Sequence, residues 1–149
     1  MSLEDIESIN KLKARYFRHV DMKNWVEWAN VFTDDAVLTY DVNVCTDKNG
    51  PQTSAPSEGR AAIVQGAKAV IGDASTVHHG FMPEIELTSS TTAQGIWAME
   101  DILEWPDSRK IHAYGFYNET YRKEEDGQWR IATLHLARIR VDMTGPWPQ

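Results

Sequence analysis

The sequence predicts an α+β fold: a cone-shaped α+β barrel, in which a curved, mostly antiparallel sheet and three N-terminal helices enclose a pocket. Helical periodicity governs most of the first half of the chain, and strand periodicity governs the chain from Thr76 onward. Helices gathered early and strands gathered late place the helices on one face of the sheet. The chain has 149 residues, the size of one domain, and its 42% apolar content is enough for one core, so 1–149 reads as a single domain.

The first helix is expected over residues 3 to 20. Ile6, Ile9, Leu12, Tyr16 and Val20 recur there at spacings of three and four, which gathers them on one face. Ser2 is its expected N-cap, with Asp5 in the capping-box position. A second helix, "NWVEWANVF", begins after Asp21 and ends by Thr33. "DDAVLTYDVNV" alternates as a strand. Residues 46 to 57, "TDKNGPQTSAPS", are rich in turn formers and read as a loop. The third helix is "EGRAAIVQGAKAVIG", stopped at Gly72. The rest is an antiparallel meander of "VHHGFMPEIELTS", "TTAQGIWAMEDILEW", "KIHAYGFYNETYRK" and "QWRIATLHLARIRVD". Its turns include "PDSR" and "EEDG". A sheet curved around helices forms a cone whose interior suits a small molecule.

The composition removes several function classes. A net charge of -7 disfavours nucleic acid and anionic membrane surfaces as partners. No apolar run approaches the roughly 20 residues of a membrane span. One cysteine, Cys45, allows neither an internal disulfide nor a cysteine metal cluster. A reducing, cytoplasmic setting fits, and the acidic start "MSLEDIESIN" does not resemble a targeting peptide. Gly-rich phosphate loops, the Gly-x-Ser-x-Gly elbow and His-Glu-x-x-His are absent, which removes most nucleotide-dependent and serine-hydrolase readings; no metal and no cofactor are expected.

What remains is a set of titratable side chains. His78 and His79 are adjacent on a strand, so at most one faces the interior. A strand histidine is either a satisfied packed residue or, when an Asp holds it, a general base. Asp21 is either the end of the first helix or the N-cap of the second. Trp97, Met99, Asp101 and Leu103 share one face of their strand. Asp101 either faces solvent or sits among apolar groups, where a carboxyl gains affinity for its proton.

Several segments carry a family likeness: "ARYFRHVDMKNW", "FTDDAVLTYD", "SEGRAAI", "VHHGF" and "EEDGQWRIATLHL". Over nearly its whole length the chain resembles the SnoaL-like branch of the nuclear transport factor 2-like superfamily. It is similar to polyketide cyclases, scytalone dehydratase, bile acid 7α-dehydratase and hexachlorocyclohexane dehydrochlorinase. The resemblance implies a cofactor-independent lyase, a dehydratase acting on a small hydrophobic alicyclic, aromatic or polycyclic substrate. It pairs His78 with Asp21 as the base, leaving His79 on the outer face. It adds Tyr16 and Asp101 to the catalytic set, and Tyr40 and Asn118 to the pocket, beside Trp97 and Met99. Arg138 or Arg140 is placed to bind an acidic or carbonyl group. The second histidine of scytalone dehydratase falls near Leu103, a departure from that enzyme. Alternatives on the same fold are an isomerase, an aldol-type cyclase, a formaldehyde-releasing lyase or a non-catalytic binding module. The likeness also implies a homo-oligomer, dimer or trimer, joined through an outer sheet face that carries Ile96, Ala98 and Ile102. The 46–57 loop and "MTGPWPQ" are expected near the pocket mouth.

Overall fold

The computed structural model describes residues 2–42, 44, 48, 50 and 52–146. Cys45, Trp147 and parts of the two expected mouth segments therefore lie outside the described residues. Among the described residues, three helices and six strands follow the order α1 (Leu3–Asp21), α2 (Trp25–Ala29), β1 (Phe32–Tyr40), β2 (Ser57–Glu58), α3 (Arg60–Ile71), β3 (Ser75–Leu87), β4 (Thr92–Glu104), β5 (Lys110–Lys123) and β6 (Trp129–Thr144). The sheet order is β2-β1-β6-β5-β4-β3, and only the β1–β6 pair is parallel. β2 and β3 remain edges, so the barrel is an open curved sheet rather than a closed one.

α1 forms as its periodicity requires. Ile9, Leu12, Lys13, Tyr16 and Val20 are its buried stripe. Ser2 caps it by accepting from the Asp5 N–H at 3.2 Å. Asp5 does not return the capping-box bond. Its carboxylate instead accepts from Trp129 Nε1 and Lys123 Nζ, tying α1 to the two residues that flank the turn of the last hairpin. α2 is shorter than the sequence predicts, because its "NVF" continues as a turn into β1.

Irregularities in the sheet decide where side chains point. β3 loses register against β4 between Phe81 and Glu84, with Met82 at φ 41° and Pro83 inside the break. Even-numbered residues face in before the break, and Ile85 and Leu87 pack against the core after it. β6 shifts twice against β5. Tyr114 pairs with Arg140 but Gly115 pairs with Arg138, so Ile139 is the extra residue. Gly115 is required there, because a Cβ would lie 1.9 Å from the Ala137 carbonyl oxygen. Gly80 plays the matching part on β3: a Cβ would lie 2.6 Å from Phe17 Cζ, so its absence lets α1 approach the strand that carries His78.

The core between α1, α2, α3 and the inner sheet face is aromatic, built around Tyr16, Trp28, Phe32, Tyr117, Tyr121 and Trp129. These rings line the inner face of the cone. The outer face keeps Val77, Phe81, Ile96, Ile102 and Phe116 exposed.

Candidate functional site

The end of α1 delivers Asp21 to the start of β3. Lys23 takes the left-handed conformation at φ 58°, and the Asn24 N–H returns to the His19 carbonyl at 2.9 Å. The helix therefore stops with Asp21 as its last residue, not as the N-cap of α2, whose N-cap position is Asn24. Ending there lets Asp21 turn toward the sheet, although it lies about 140° from Tyr16 on an ideal helix.

Asp21 is held by three donors. The His78 backbone N–H donates to Oδ2 at 2.9 Å, and His78 Nδ1 lies 2.6 Å from Oδ1. The Thr76 hydroxyl donates to Oδ1 at 3.0 Å and accepts from Lys23 Nζ at 2.7 Å. A carboxylate facing Nδ1 fixes the imidazole with its proton on Nδ1 and its lone pair on Nε2. Strand alternation puts His78 inside and leaves His79 outside, where it approaches Glu100.

Asp101 stands across from His78, directly opposite it in the β3–β4 register. Its Oδ1 lies 3.9 Å from His78 Nε2 and is buried with no hydrogen-bond partner. Burial pushes the Asp101 carboxyl above its ordinary value, and Asp21 adds to the push. The charges of His78, Arg138 and Lys13 oppose it. The net direction is upward, so Asp101 holds its proton more tightly than an exposed carboxyl does.

Tyr16 and Tyr117 complete the interior. Burial raises both phenols well above the ordinary tyrosine value, and the Glu119 and Asp101 charges reinforce this. The two hydroxyls influence each other, while the Tyr117 hydroxyl has no hydrogen bond of proper geometry. Trp97 and Met99 lie buried on the Asp101 face of β4, and Trp97 Nε1 donates to the Tyr121 hydroxyl at 2.9 Å. The β6 shift at Ile139 separates two arginines that plain alternation would put on one face. Arg138 turns inward, acts on Asp101 and leaves its Nε buried without a partner. Arg140 turns outward to Asp142.

Two expected pocket residues stand elsewhere. Asn118 is on the outer face of β5, because the inward positions there are Tyr117, Glu119 and Tyr121. Counting from the family pattern missed by one residue, which reverses the face of a strand side chain. Tyr40 shares the inner face of β1 with Leu38 but is 37% exposed at the strand end. Two surface concavities lie apart from the dyad. One of about 640 Å³ sits on the outer sheet face beside Asn118 and His135, and one of about 540 Å³ lies between α2 and α3.

The sequence reading overlooked Lys13 and Glu119, which form a fully buried ion pair. Lys13 lies on the apolar stripe of α1, and Glu119 alternates with two inward tyrosines. Among the described residues, no three metal-binding side chains converge and no helix is long and apolar enough to cross a membrane.

Known proteins share this architecture. The family described as the SnoaL-like domain matches residues 1–135. A Novosphingobium aromaticivorans protein proposed to be a scytalone dehydratase superimposes with a TM-score of 0.79 at 23% identity, over 99% of this chain and 91% of its own. A type 2 hexachlorocyclohexane dehydrochlorinase gives 0.76 at 18% identity, over 97% of this chain and 92% of its own. A protein of unknown function from Mycobacterium tuberculosis gives 0.74 at 25% identity, over 91% of this chain and 72% of its own.

Proposed function

The chain belongs to the SnoaL-like domain family, and on that premise we propose that it is a cofactor-independent lyase of the dehydratase type. The observation that carries the reading is the relay Asp21–His78–Asp101, with 2.6 Å on one side of the imidazole and 3.9 Å on the other. His78 Nε2 takes a proton from a carbon next to a carbonyl. Asp101 gives its proton to the departing hydroxide, which leaves as water. The enzyme is then left with imidazolium and carboxylate, and the proton returns from His78 to Asp101 across the 3.9 Å between them through one water or after the two side chains close to hydrogen-bond distance. Each turnover thus restores both groups without a further reactant.

Arg138 and Tyr16 suit the carbonyl oxygen, where negative charge develops as the proton leaves. The aromatic lining of Tyr16, Trp97 and Met99 favours a hydrophobic alicyclic, aromatic or polycyclic hydroxy-carbonyl substrate. Dehydrochlorination, the reaction named for one structural neighbour, fits less well. Chloride leaves without needing a proton, so a protonated Asp101 has no task there.

The test is a screen of the purified protein against hydroxy-steroids, polyketides and lignin-type aromatics, read by mass spectrometry. Loss of one water by wild type and not by folded His78→Ala supports the reading. Turnover by His78→Ala refutes it, and a product of unchanged mass assigns the same proton relay to an isomerase. The exposed Val77, Phe81, Ile96, Ile102 and Phe116 support a homo-oligomer in which a second copy covers the outer face. Sedimentation of the wild type reads that state directly.

A further inference from the structure

Lys13 is fully buried, and the proton relay does not use it. Its Nζ lies over the Tyr16 ring at 3.8 Å from the centroid and over the Tyr117 ring at 3.7 Å. Glu119 clamps it there. One Glu119 oxygen accepts from the ammonium, and the other accepts from the Tyr121 hydroxyl at 2.5 Å. The Tyr121 oxygen in turn accepts from Trp97 Nε1.

A buried ion pair is a poor device for stability alone, because an apolar pair of equal volume often does as well or better. The position of this one is more informative than its existence. The ammonium sits between the faces of two phenols, both electrostatically coupled to Asp101. A cation over a ring face is attracted by the π electrons. Drawing that density away from the ring leaves the O–H more acidic and a stronger donor. The Tyr117 hydroxyl is buried beside the Tyr16 hydroxyl without a hydrogen bond of full geometry, so the two phenols can turn together toward an incoming ligand atom. A Met at position 13 would fill similar volume without this effect.

We propose that Lys13 is a positioning residue whose ammonium, held by Glu119 between Tyr16 and Tyr117, strengthens both phenols as hydrogen-bond donors to a substrate oxygen. The catalytic use of this arrangement rests on the lyase reading above, but the polarisation of the phenols does not. Tyr117 thereby joins the site as a donor that acts where the substrate oxygen gains negative charge.

The experiment places 3,5-difluorotyrosine, an intrinsically more acidic phenol, at position 117 and titrates it by fluorine NMR. Three backgrounds are compared: wild type, Glu119→Gln, and Lys13→Met with Glu119→Gln. The ammonium lies 3.7 Å from the Tyr117 ring centroid. The phenol should be more acidic in wild type than in the double variant, by about tenfold in acid constant, the scale of a desolvated cation–π contact. Glu119→Gln serves as the background that removes the partner keeping the buried Lys13 charged. Should Glu119→Gln not fold, wild type against the double variant still decides the matter. A double variant whose phenol is as acidic as wild type, or more so, overturns the proposal.

Turnover supplies the second reading. Tyr117→Phe should lower kcat strongly in wild type and only slightly in the double variant, with KM little changed in both. Equal losses in the two backgrounds overturn the proposal. If no protein in the series turns over any hydroxy-carbonyl substrate, the lyase reading fails, and the titration order still tests Lys13 on its own.

Discussion

Replacing Asp21 by Asn is the sharpest probe of the dyad. Asp21 accepts from the His78 backbone N–H through Oδ2, and through Oδ1 it meets the Thr76 hydroxyl and His78 Nδ1. An amide has only one acceptor oxygen. Its NH2 group cannot face the backbone N–H, because two donors would then meet at 2.9 Å. The NH2 must therefore take the Oδ1 position, where the Thr76 hydroxyl can rotate to accept from it. His78 Nδ1 must then become an acceptor, which moves the ring proton to Nε2. An imidazole carrying its proton on Nε2 cannot serve as a base toward the Asp101 side. The comparable change in a serine-protease triad costs about 10⁴-fold, equivalent to about 5 kcal/mol of barrier. Asp21→Asn should show that loss in kcat/KM with the fold intact. Nitrogen NMR of the labelled His78 ring should show the proton moved from Nδ1 to Nε2. A ring that keeps its Nδ1 proton, or activity within about tenfold of wild type, refutes the reasoning.

Three further outcomes are expected from the geometry. The Asp101 carboxyl is raised by burial, so the folded state binds its proton more tightly than the unfolded chain does. The stability this contributes is present at acid pH and is lost as pH rises through the raised folded value. Asp101→Asn should therefore be more stable than wild type at pH 7 in urea unfolding, with the gain shrinking as pH falls toward the ordinary carboxylate value of 3.8. It should also lose about 10²–10⁴-fold in turnover as the missing acid. Lys13→Met alone strands the Glu119 carboxylate in the core, and chemical denaturation should register a loss of about 3–5 kcal/mol. Asn118→Ala changes only the outer face, so kcat/KM should match wild type; a large loss would mean that the β5 face assignment is wrong.

The order of helices and strands was legible in the sequence, because periods of 3.6 and 2 mark which residues are buried together. The same alternation separated His78 from His79 and set Asp101 beside Trp97 and Met99. The family likeness gave the spacing from Asp21 to His78. Three things were not legible. Alternation does not announce a bulge, so the opposed facing of Arg138 and Arg140 depended on the extra residue Ile139. Matching Asn118 by count ignored the inward Tyr117 and Tyr121, which alone fix the parity of β5. Lys13 was invisible because a lysine on an apolar helical stripe normally extends to solvent, and its partner Glu119 lies 106 residues away.

The central claim is that His78 is a base and not merely a packed side chain. Chemical rescue of His78→Ala tests it most directly. Truncation opens a space beside Asp21 and Asp101 that free imidazole can enter. The account predicts an inactive, folded variant whose turnover returns in proportion to added imidazole, and returns faster with more basic imidazoles. A folded His78→Ala that is active without imidazole, or that no imidazole restores, contradicts it.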